Sequence, residues 1–172
     1  MARNRPTTVG AIDPEVLAFT AGDDVALDLA LVEPDCLGTA AHVTMLSRMP
    51  VEPPIITAME CRKVIRALAT IVGMAREGRL RIGLADQDVH LAVERLLTEK
   101  LGELGRKVHT GRSRNDQVAV DLRLFAKPRL LEVLETVGGL ARTLAEFARR
   151  HVALPMVGRT HMQPAMPSSV GL

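Results

Sequence analysis

Apolar side chains recur at helical spacing from residue 116 to residue 151, and this stretch limits the possible folds most strongly. The stripe consists of Val118, Leu122, Phe125, Leu130, Leu134, Val137, Ala141 and Leu144. Recurrence at every third or fourth position predicts an amphipathic helix. Pro128 lies inside the stretch and Gly138-Gly139 weaken it, so we expect a bent rod or two stacked helices.

Three shorter segments with the same spacing precede the long stretch. We predict helices at residues 35 to 49, 55 to 78 and 86 to 101. Gly78 suits the end of the second helix, and Gly102 and Gly105 should break the third. We expect loops at residues 107 to 115 and in the proline-rich segment from 155 to 167. No segment has a convincing strand pattern, and the core must be aliphatic because only 2% of residues are aromatic, so the predicted fold class is all-α.

Composition excludes several classes of function. The formal net charge is +2, too small to indicate nucleic-acid binding, and aromatic side chains for base stacking are scarce. No apolar run reaches the roughly 18 residues that span a bilayer. Cys36 and Cys61 are the only cysteines, and we expect both to be buried thiols in a reducing compartment. We therefore expect a cytoplasmic protein without nucleic-acid or membrane partners.

The segment from His109 to Asp116 places two arginines, a serine and an asparagine where a loop meets the long helix. Helix N-termini offer unpaired N–H groups and a partial positive charge, which attract anions. Arginine binds carboxylates through two parallel hydrogen bonds. These residue types indicate a site for a small, multiply charged acid. The structural alternative is that Asn115 or Asp116 caps the helix.

Three blocks of sequence stand out. They read DVHLAVE from Asp88, HTGRSRNDQVA and DLRLF from His109 to Phe125, and GRTHMQPA from Gly158. Together they resemble the argininosuccinate lyases, which belong to the fumarase/aspartase superfamily. The resemblance implies an all-α fold with an N-terminal helical domain in residues 1 to 110. Residues 111 to 172 would begin a truncated central bundle, which such enzymes share among four subunits.

The resemblance covers about the first third of such an enzyme, so we expect a fragment. It should be inactive alone and need a complementing C-terminal segment or the other subunits of a homotetramer. It should also expose a large apolar stripe after residue 116.

The resemblance also implies a reaction, the reversible β-elimination of argininosuccinate to arginine and fumarate, without a metal or organic cofactor. A base removes a Cβ proton beside a carboxylate, and an acid protonates the departing guanidinium nitrogen. His161 falls on the histidine assigned to proton transfer, a role that suits imidazole near neutral pH. The residues implied to bind this small dicarboxylate are Asn115, Thr160, Arg114, Gln163 and His90.

Several of these assignments have a structural alternative. Taken without the resemblance, His161 is more typical of a histidine that stabilises a loop, and Gln163 could shape the loop around it. His90 and Glu94 are spaced four residues apart, so they could form a pair on one helix face.

Two departures from the family pattern leave other functions open. Gly22 stands where these enzymes have a serine that contacts substrate, and Arg159 replaces a tyrosine. A related lyase acting on another succinyl-amine and a non-catalytic helical assembly protein are therefore alternatives. A third, nucleic-acid binding through Lys107, Arg112 and Arg114, would require binding that survives about 200 mM salt.

Overall fold

The computed structural model describes residues 13 to 172, which are mostly helical. The elements are α1 (Pro14–Ala21), α2 (Asp24–Leu27), a 3₁₀ helix (Asp28–Leu31), α3 (Val32–Leu46), α4 (Ala58–Arg76), α5 (Val89–Leu101), α6 (Glu103–Lys107), α7 (Arg114–His151), β1 (Pro155–Thr160) and β2 (Gln163–Ser169). The predicted all-α class is confirmed. Within the described part of the chain, no helix is long and apolar enough to cross a membrane.

The three shorter predicted helices are confirmed as α3, α4 and α5. Local hydrogen bonds define several of their ends. Thr57 caps α4: its hydroxyl accepts from the Glu60 N–H, while the Glu60 carboxylate accepts from the Thr57 N–H. Gly78 follows α4 with a φ of +66°, as predicted for the end of this helix. Asp88 caps α5 by accepting from the Leu91 N–H.

The core lies among α3, α4 and α5 and is aliphatic, as expected. Its most buried large side chains include Val43, Val64 and Leu97, each fully shielded from solvent. Cys36 and Cys61 are both buried in this core and both are free thiols, which confirms that part of the prediction.

Gly105 was predicted to break a helix, but it lies inside α6. A Cβ atom at this position would come within 2.5 Å of the Leu97 carbonyl carbon and the Thr98 nitrogen in α5. Glycine therefore allows the backbone of α6 to approach the backbone of α5. Of the two glycines named as breakers, Gly102 alone separates the helices, with a φ of +63°.

The long predicted helix is present as α7, and its backbone is helical through Pro128 and Gly138-Gly139. The alternative of two stacked helices is therefore wrong. Proline lacks the N–H for one intrahelical hydrogen bond, but this omission does not end the helix here. The predicted apolar stripe is exposed after residue 116, as expected: Leu122, Leu134 and Leu144 are each more than half accessible.

The segment predicted as a final loop forms an antiparallel hairpin of β1 and β2, so the absence of strands was a wrong expectation. Pro164 and Pro167 lie within β2. Proline is tolerated there because each strand of a two-stranded sheet has an open edge. Gly158 lies at a shift of register between Val157 and Arg159.

Close contacts divide the chain into two compact units, the first ending at Phe125 and the second running from Ala126 to Leu172. The division into an N-terminal domain and a bundle domain at residue 110 stays a prediction.

Candidate active site

Ser113 caps the start of α7. Its hydroxyl accepts a hydrogen bond from the Asn115 N–H at 3.2 Å, and the Asp116 carboxylate accepts from the Ser113 N–H at 3.2 Å. Asp116 therefore takes part in the cap, as the structural alternative proposed, whereas Asn115 does not occupy the capping position. The Asn115 side chain is exposed. It lies in the first turn of the helix, where the dipole favours a negatively charged ligand.

Arg114 is held beside this turn by an ion pair. Its Nη1 lies 2.9 Å from Asp88 Oδ2, so one carboxylate both caps α5 and binds the first residue of α7. The Arg114 side chain remains 48% exposed. The guanidinium therefore keeps N–H groups that face solvent beside Asn115.

His90 lies in the interior of the first unit and does not pair with Glu94. Its Nδ1 lies 2.8 Å from Asp35 Oδ1, and only 5% of its side chain is accessible. Burial by itself lowers the pKa of His90, but the hydrogen bond and charge of Asp35 outweigh burial and raise it. Glu94 instead lies 3.2 Å from Nε2 of His109. The predicted His90–Glu94 pair is wrong because a buried carboxylate on α3 binds the ring.

Asp35 is the centre of a buried polar network that joins three helices. Oδ1 of Asp35 also accepts from Gln117 Nε2 at 3.1 Å, and Asp121 Oδ2 lies 3.6 Å from His90 Nδ1. On the other side, Arg112 donates from Nη2 to the Thr39 hydroxyl at 3.1 Å. Asp35, Gln117 and Asp121 are all at most 3% exposed. The first turns of α7 are thus attached to α3 and α5 through polar contacts.

This network was not predicted, although its residues carry a periodic signal. Gln117 and Asp121 are four residues apart on α7, and Asp35 and Thr39 are four apart on α3. Each pair therefore lies on one helix face. The predicted apolar stripe includes Val118 and Leu122. In the structure, the buried face of this part of α7 is polar.

Asp35, His90 and Asp121 also bring one possible metal-ligand atom each to within 4.8 Å of one another. The ring nitrogen of His90 already interacts with Asp35, and the Arg112 charge acts on both carboxylates. Charge balance is therefore available without an ion.

A cavity of about 350 Å³ opens beside the network and the α7 cap. Its lining comprises Gly38, His42, Met45, Gly111, Arg112, Asp116, Gln117, Val120 and Asp121. Both signs of charge face it, so this cavity is not a simple anion site.

The remaining predicted site residues lie together at the tip of the hairpin in the second unit. Thr160 pairs with Gln163, and His161 and Met162 form the two-residue turn between them. Both turn residues have positive φ angles, +46° and +62°, which are costly for residues other than glycine. His161 is exposed, as are Thr160 and Gln163. Strained backbone of this kind often occurs at functional sites.

The sequence profile of a lyase family matches residues 33 to 172. The chain belongs to this lyase family. It is 42% identical over 161 residues to an argininosuccinate lyase of Parabacteroides distasonis, a match that covers 94% of this chain and 35% of the relative. Identity is 43% over 161 residues to the argininosuccinate lyase of Phocaeicola vulgatus, with the same coverage. It is 42% over 162 residues to that of Sorangium cellulosum, covering 94% of this chain and 37% of the relative.

The resemblance read from the three motifs is confirmed by these matches. This lyase-family chain spans about a third of the length of the curated relatives it matches. Its predicted site residues fall into two groups, with His90, Arg114 and Asn115 in the first unit and Thr160, His161 and Gln163 in the second.

Proposed function

We propose that this chain contributes to a carbon–nitrogen lyase that splits argininosuccinate into arginine and fumarate. The observation that carries the proposal is the similarity of 94% of the chain to proteins named argininosuccinate lyase. The exposed Arg114 and Asn115 at the positive end of α7 support it, because they suit a substrate with several carboxylates.

The chemistry assigns a different task to each group of residues. Arg114, Asn115, Thr160 and Gln163 would bind the carboxylates of the succinyl moiety. His161 would transfer a proton while the Cβ–H and C–N bonds break. The electron pair of the C–H bond would form the double bond of fumarate, and that of the C–N bond would leave with the guanidinium nitrogen, which takes up a proton from an acid. Fixed donors around the carboxylate would stabilise the negative charge that develops there. His90 would act indirectly, because its Nδ1 already interacts with Asp35.

The exposed apolar side chains of α7 support assembly with further helices. We propose that they are covered in a homotetramer or by a complementing C-terminal segment, which would also complete the substrate site. The free thiols of Cys36 and Cys61 favour a cytoplasmic location, where such thiols stay reduced.

A complementation assay tests the activity. The purified chain would be combined with the part of the Parabacteroides distasonis enzyme that lies outside the match, and fumarate would be followed by its ultraviolet absorbance. We expect turnover only when both polypeptides are present, and about a 100-fold loss with His161→Asn, the scale of general acid–base catalysis. Turnover by the chain alone, or an assembled complex that releases no fumarate, would contradict the proposal.

Gly22 supports a second candidate, a non-catalytic helical assembly protein. It occupies the position of a substrate-binding serine in the resembled family, and it follows α1 with a φ of +49°, a conformation that favours glycine. The same complementation experiment distinguishes this candidate, since it predicts a stable complex without turnover. If the complex is active on another succinyl-amine but not on argininosuccinate, the chain belongs to a related lyase.

A further inference from the structure

Two carboxyl groups, those of Asp35 and Asp121, each have an oxygen within 4.8 Å of the other in the interior of the first unit. Asp35 comes from α3 and Asp121 from α7, and each is 1% exposed. One oxygen of each, Oδ2, has no hydrogen-bond partner in the structure. A buried acceptor without a donor is costly, typically by more than a hydrogen bond contributes when it is made. Two acceptor atoms of the pair therefore have no donor from the protein.

The groups around the pair do not supply that donor. The His90 ring on α5 and the Gln117 amide on α7 both act on Oδ1 of Asp35. Arg112, in the loop before α7, donates to Thr39, and its Nε has no partner. Cys36, the remaining titratable group near the pair on α3, has its pKa raised by burial and then by the two carboxylates, so it stays a neutral thiol.

We propose that Asp121 is a positioning residue that holds a proton up to neutral pH and donates it to Asp35, which fixes the first two turns of α7 against α3 and α5. The O–H of Asp121 would satisfy one of the orphaned oxygens. It would also remove the repulsion between two buried carboxylates. The charge of Arg112 alone then balances the single negative charge that remains on Asp35.

The electrostatic environment of Asp121 agrees with this assignment. Burial first, and then the charge of Asp35, raise the pKa of Asp121 to about 7, although His90 and Arg112 lower it in part. A Cβ atom at Gly38 would lie 3.4 Å from Asp121 Oδ1, an ordinary van der Waals distance. The Asp121 carboxyl therefore lies next to the α3 backbone.

The consequence for the reaction rests on the proposed function. Arg114 and Asn115 precede Gln117 and Asp121 by two to seven residues, within two helical turns. The proton that fixes Gln117 and Asp121 therefore also fixes the substrate turn. Loss of the proton as pH rises through about 7 would loosen this turn. The site would then lose its geometry without losing any group that contacts substrate.

The sign of the pH effect follows from the direction of the shift. A carboxyl whose pKa is higher in the folded chain than in the unfolded chain stabilises the fold at low pH, and this stabilisation is lost as pH rises through the folded value. For Asp121 the loss falls between the ordinary carboxyl range and about 7. His90, with a raised pKa, acts in the same direction, so a variant must separate the two contributions.

Carboxyl-carbon NMR of the full chain, together with thermal unfolding across the pH range, tests the proposal. We expect the Asp121 signal to titrate near pH 7, and the amide signals of Arg114 and Asn115 to shift with the same midpoint. Asp121→Asn keeps a side-chain donor but has no proton to lose, so it should abolish this midpoint at both amides and retain the low-pH unfolding temperature. Asp121→Ala should lower the unfolding temperature at every pH, and exposed Asp23→Asn should change neither profile.

Several results would overturn the proposal. One is an Asp121 signal that titrates in the ordinary carboxyl range, and another is an Asp121→Asn chain with an unchanged amide midpoint. Binding of Mg²⁺ or Zn²⁺ that shifts the Asp35 and Asp121 signals at neutral pH would show that a cation, not a proton, fills the gap. If Asp121→Asn does not fold, the titration of the unmodified chain decides. No substrate is used, so these outcomes are independent of whether the lyase assay succeeds.

Discussion

The two compact units differ in how their apolar side chains are used. The first unit packs aliphatic side chains of α3, α4 and α5 into a continuous core, in which Val43, Val64 and Leu97 are fully buried. In the second unit, residues 126 to 172, no residue is buried, and the apolar side chains of α7 lie in solvent. The first unit therefore buries enough apolar surface to stabilise its own fold. The stability of the second unit depends mainly on backbone hydrogen bonds.

This difference shows where stability must come from in each unit. Burial of a leucine or valine side chain contributes roughly 1.5–3 kcal/mol relative to exposure. Such contributions are present in the first unit, and in the second they become available only when another surface covers α7. A two-stranded hairpin such as β1–β2 is marginally stable without a further strand or a packed face. Truncation of an apolar side chain should therefore cost far more in the first unit than in the second.

A matched pair of leucine truncations is the most direct test. Leu97→Ala removes a side chain that is fully buried in the core, and we expect it to lower the free energy of unfolding by about 3 kcal/mol. Leu134→Ala removes a side chain that is 66% exposed, and we expect a change within about 0.5 kcal/mol. Both would be measured by denaturant unfolding at low protein concentration. Equal losses would show that the contrast between the units is wrong.

Protein concentration sharpens this comparison. If α7 is covered by a second copy, Leu134→Ala should become costly as the concentration rises, while the cost of Leu97→Ala should stay constant. Sedimentation of the unmodified chain over the same range gives the control. A Leu134→Ala effect that is large and independent of concentration would indicate that Leu134 packs within its own chain.

Glycine substitutions test the close packing of the first unit. Gly105→Ala places a methyl group about 2.5 Å from backbone atoms of Leu97 and Thr98, so we expect a loss of about 2 kcal/mol in the free energy of unfolding. Gly73→Ala is the matched control, because a Cβ there meets no atom within 4 Å and alanine favours the helix. The thermal unfolding temperature of Gly73→Ala should equal or slightly exceed that of the unmodified chain. A tolerated Gly105→Ala would mean that α6 can move away from α5.

Much of the first unit could be predicted from apolar periodicity. In α4, the predicted stripe residues Cys61, Val64 and Leu68 are buried, because a helix with one apolar face has one way to cover it. The helix ends were predicted less accurately. Helix α4 begins where Thr57 and Glu60 exchange hydrogen bonds, not where the apolar pattern starts.

The hairpin and the buried network could not be predicted in this way. Pro164 and Pro167 usually indicate a loop, and nothing local shows that an edge strand will accept them. Asp35 and Asp121 are 86 positions apart in the sequence, so only the three-dimensional fold shows that their carboxyls meet. The motif resemblance identified the segments that carry Asn115 and His161, but the task of each side chain there remains a proposal.

Asp88 links the cap of α5 to the start of α7, so its variants separate two smaller contributions. Asp88→Ala removes both the cap and the partner of Arg114, and we expect a loss of about 1 kcal/mol. Asp88→Asn can still cap the helix and loses only the partly exposed ion pair, so the loss should be about 0.5 kcal/mol or less. Denaturant unfolding of both variants checks this order. If Asp88→Asn costs as much as Asp88→Ala, the ion pair with Arg114 is the main contribution.

The smallest predicted effect concerns the turn at the tip of the hairpin. Met162 is 92% exposed and has a φ of +62°, so its side chain gives little burial in return for a strained backbone. Met162→Gly should relieve part of the roughly 1–2 kcal/mol that a left-handed conformation costs, and the entropy of glycine in the unfolded chain should offset some of this gain. We expect a net stabilisation of a few tenths of a kcal/mol, visible as slower amide hydrogen exchange in β1 and β2. Met166→Gly is the control, because Met166 is also exposed but lies within β2, where glycine should speed exchange. Faster exchange in both variants would show that the His161–Met162 turn is not strained. The predicted site residues of the second unit would then lack the strained backbone that distinguishes them from those of the first.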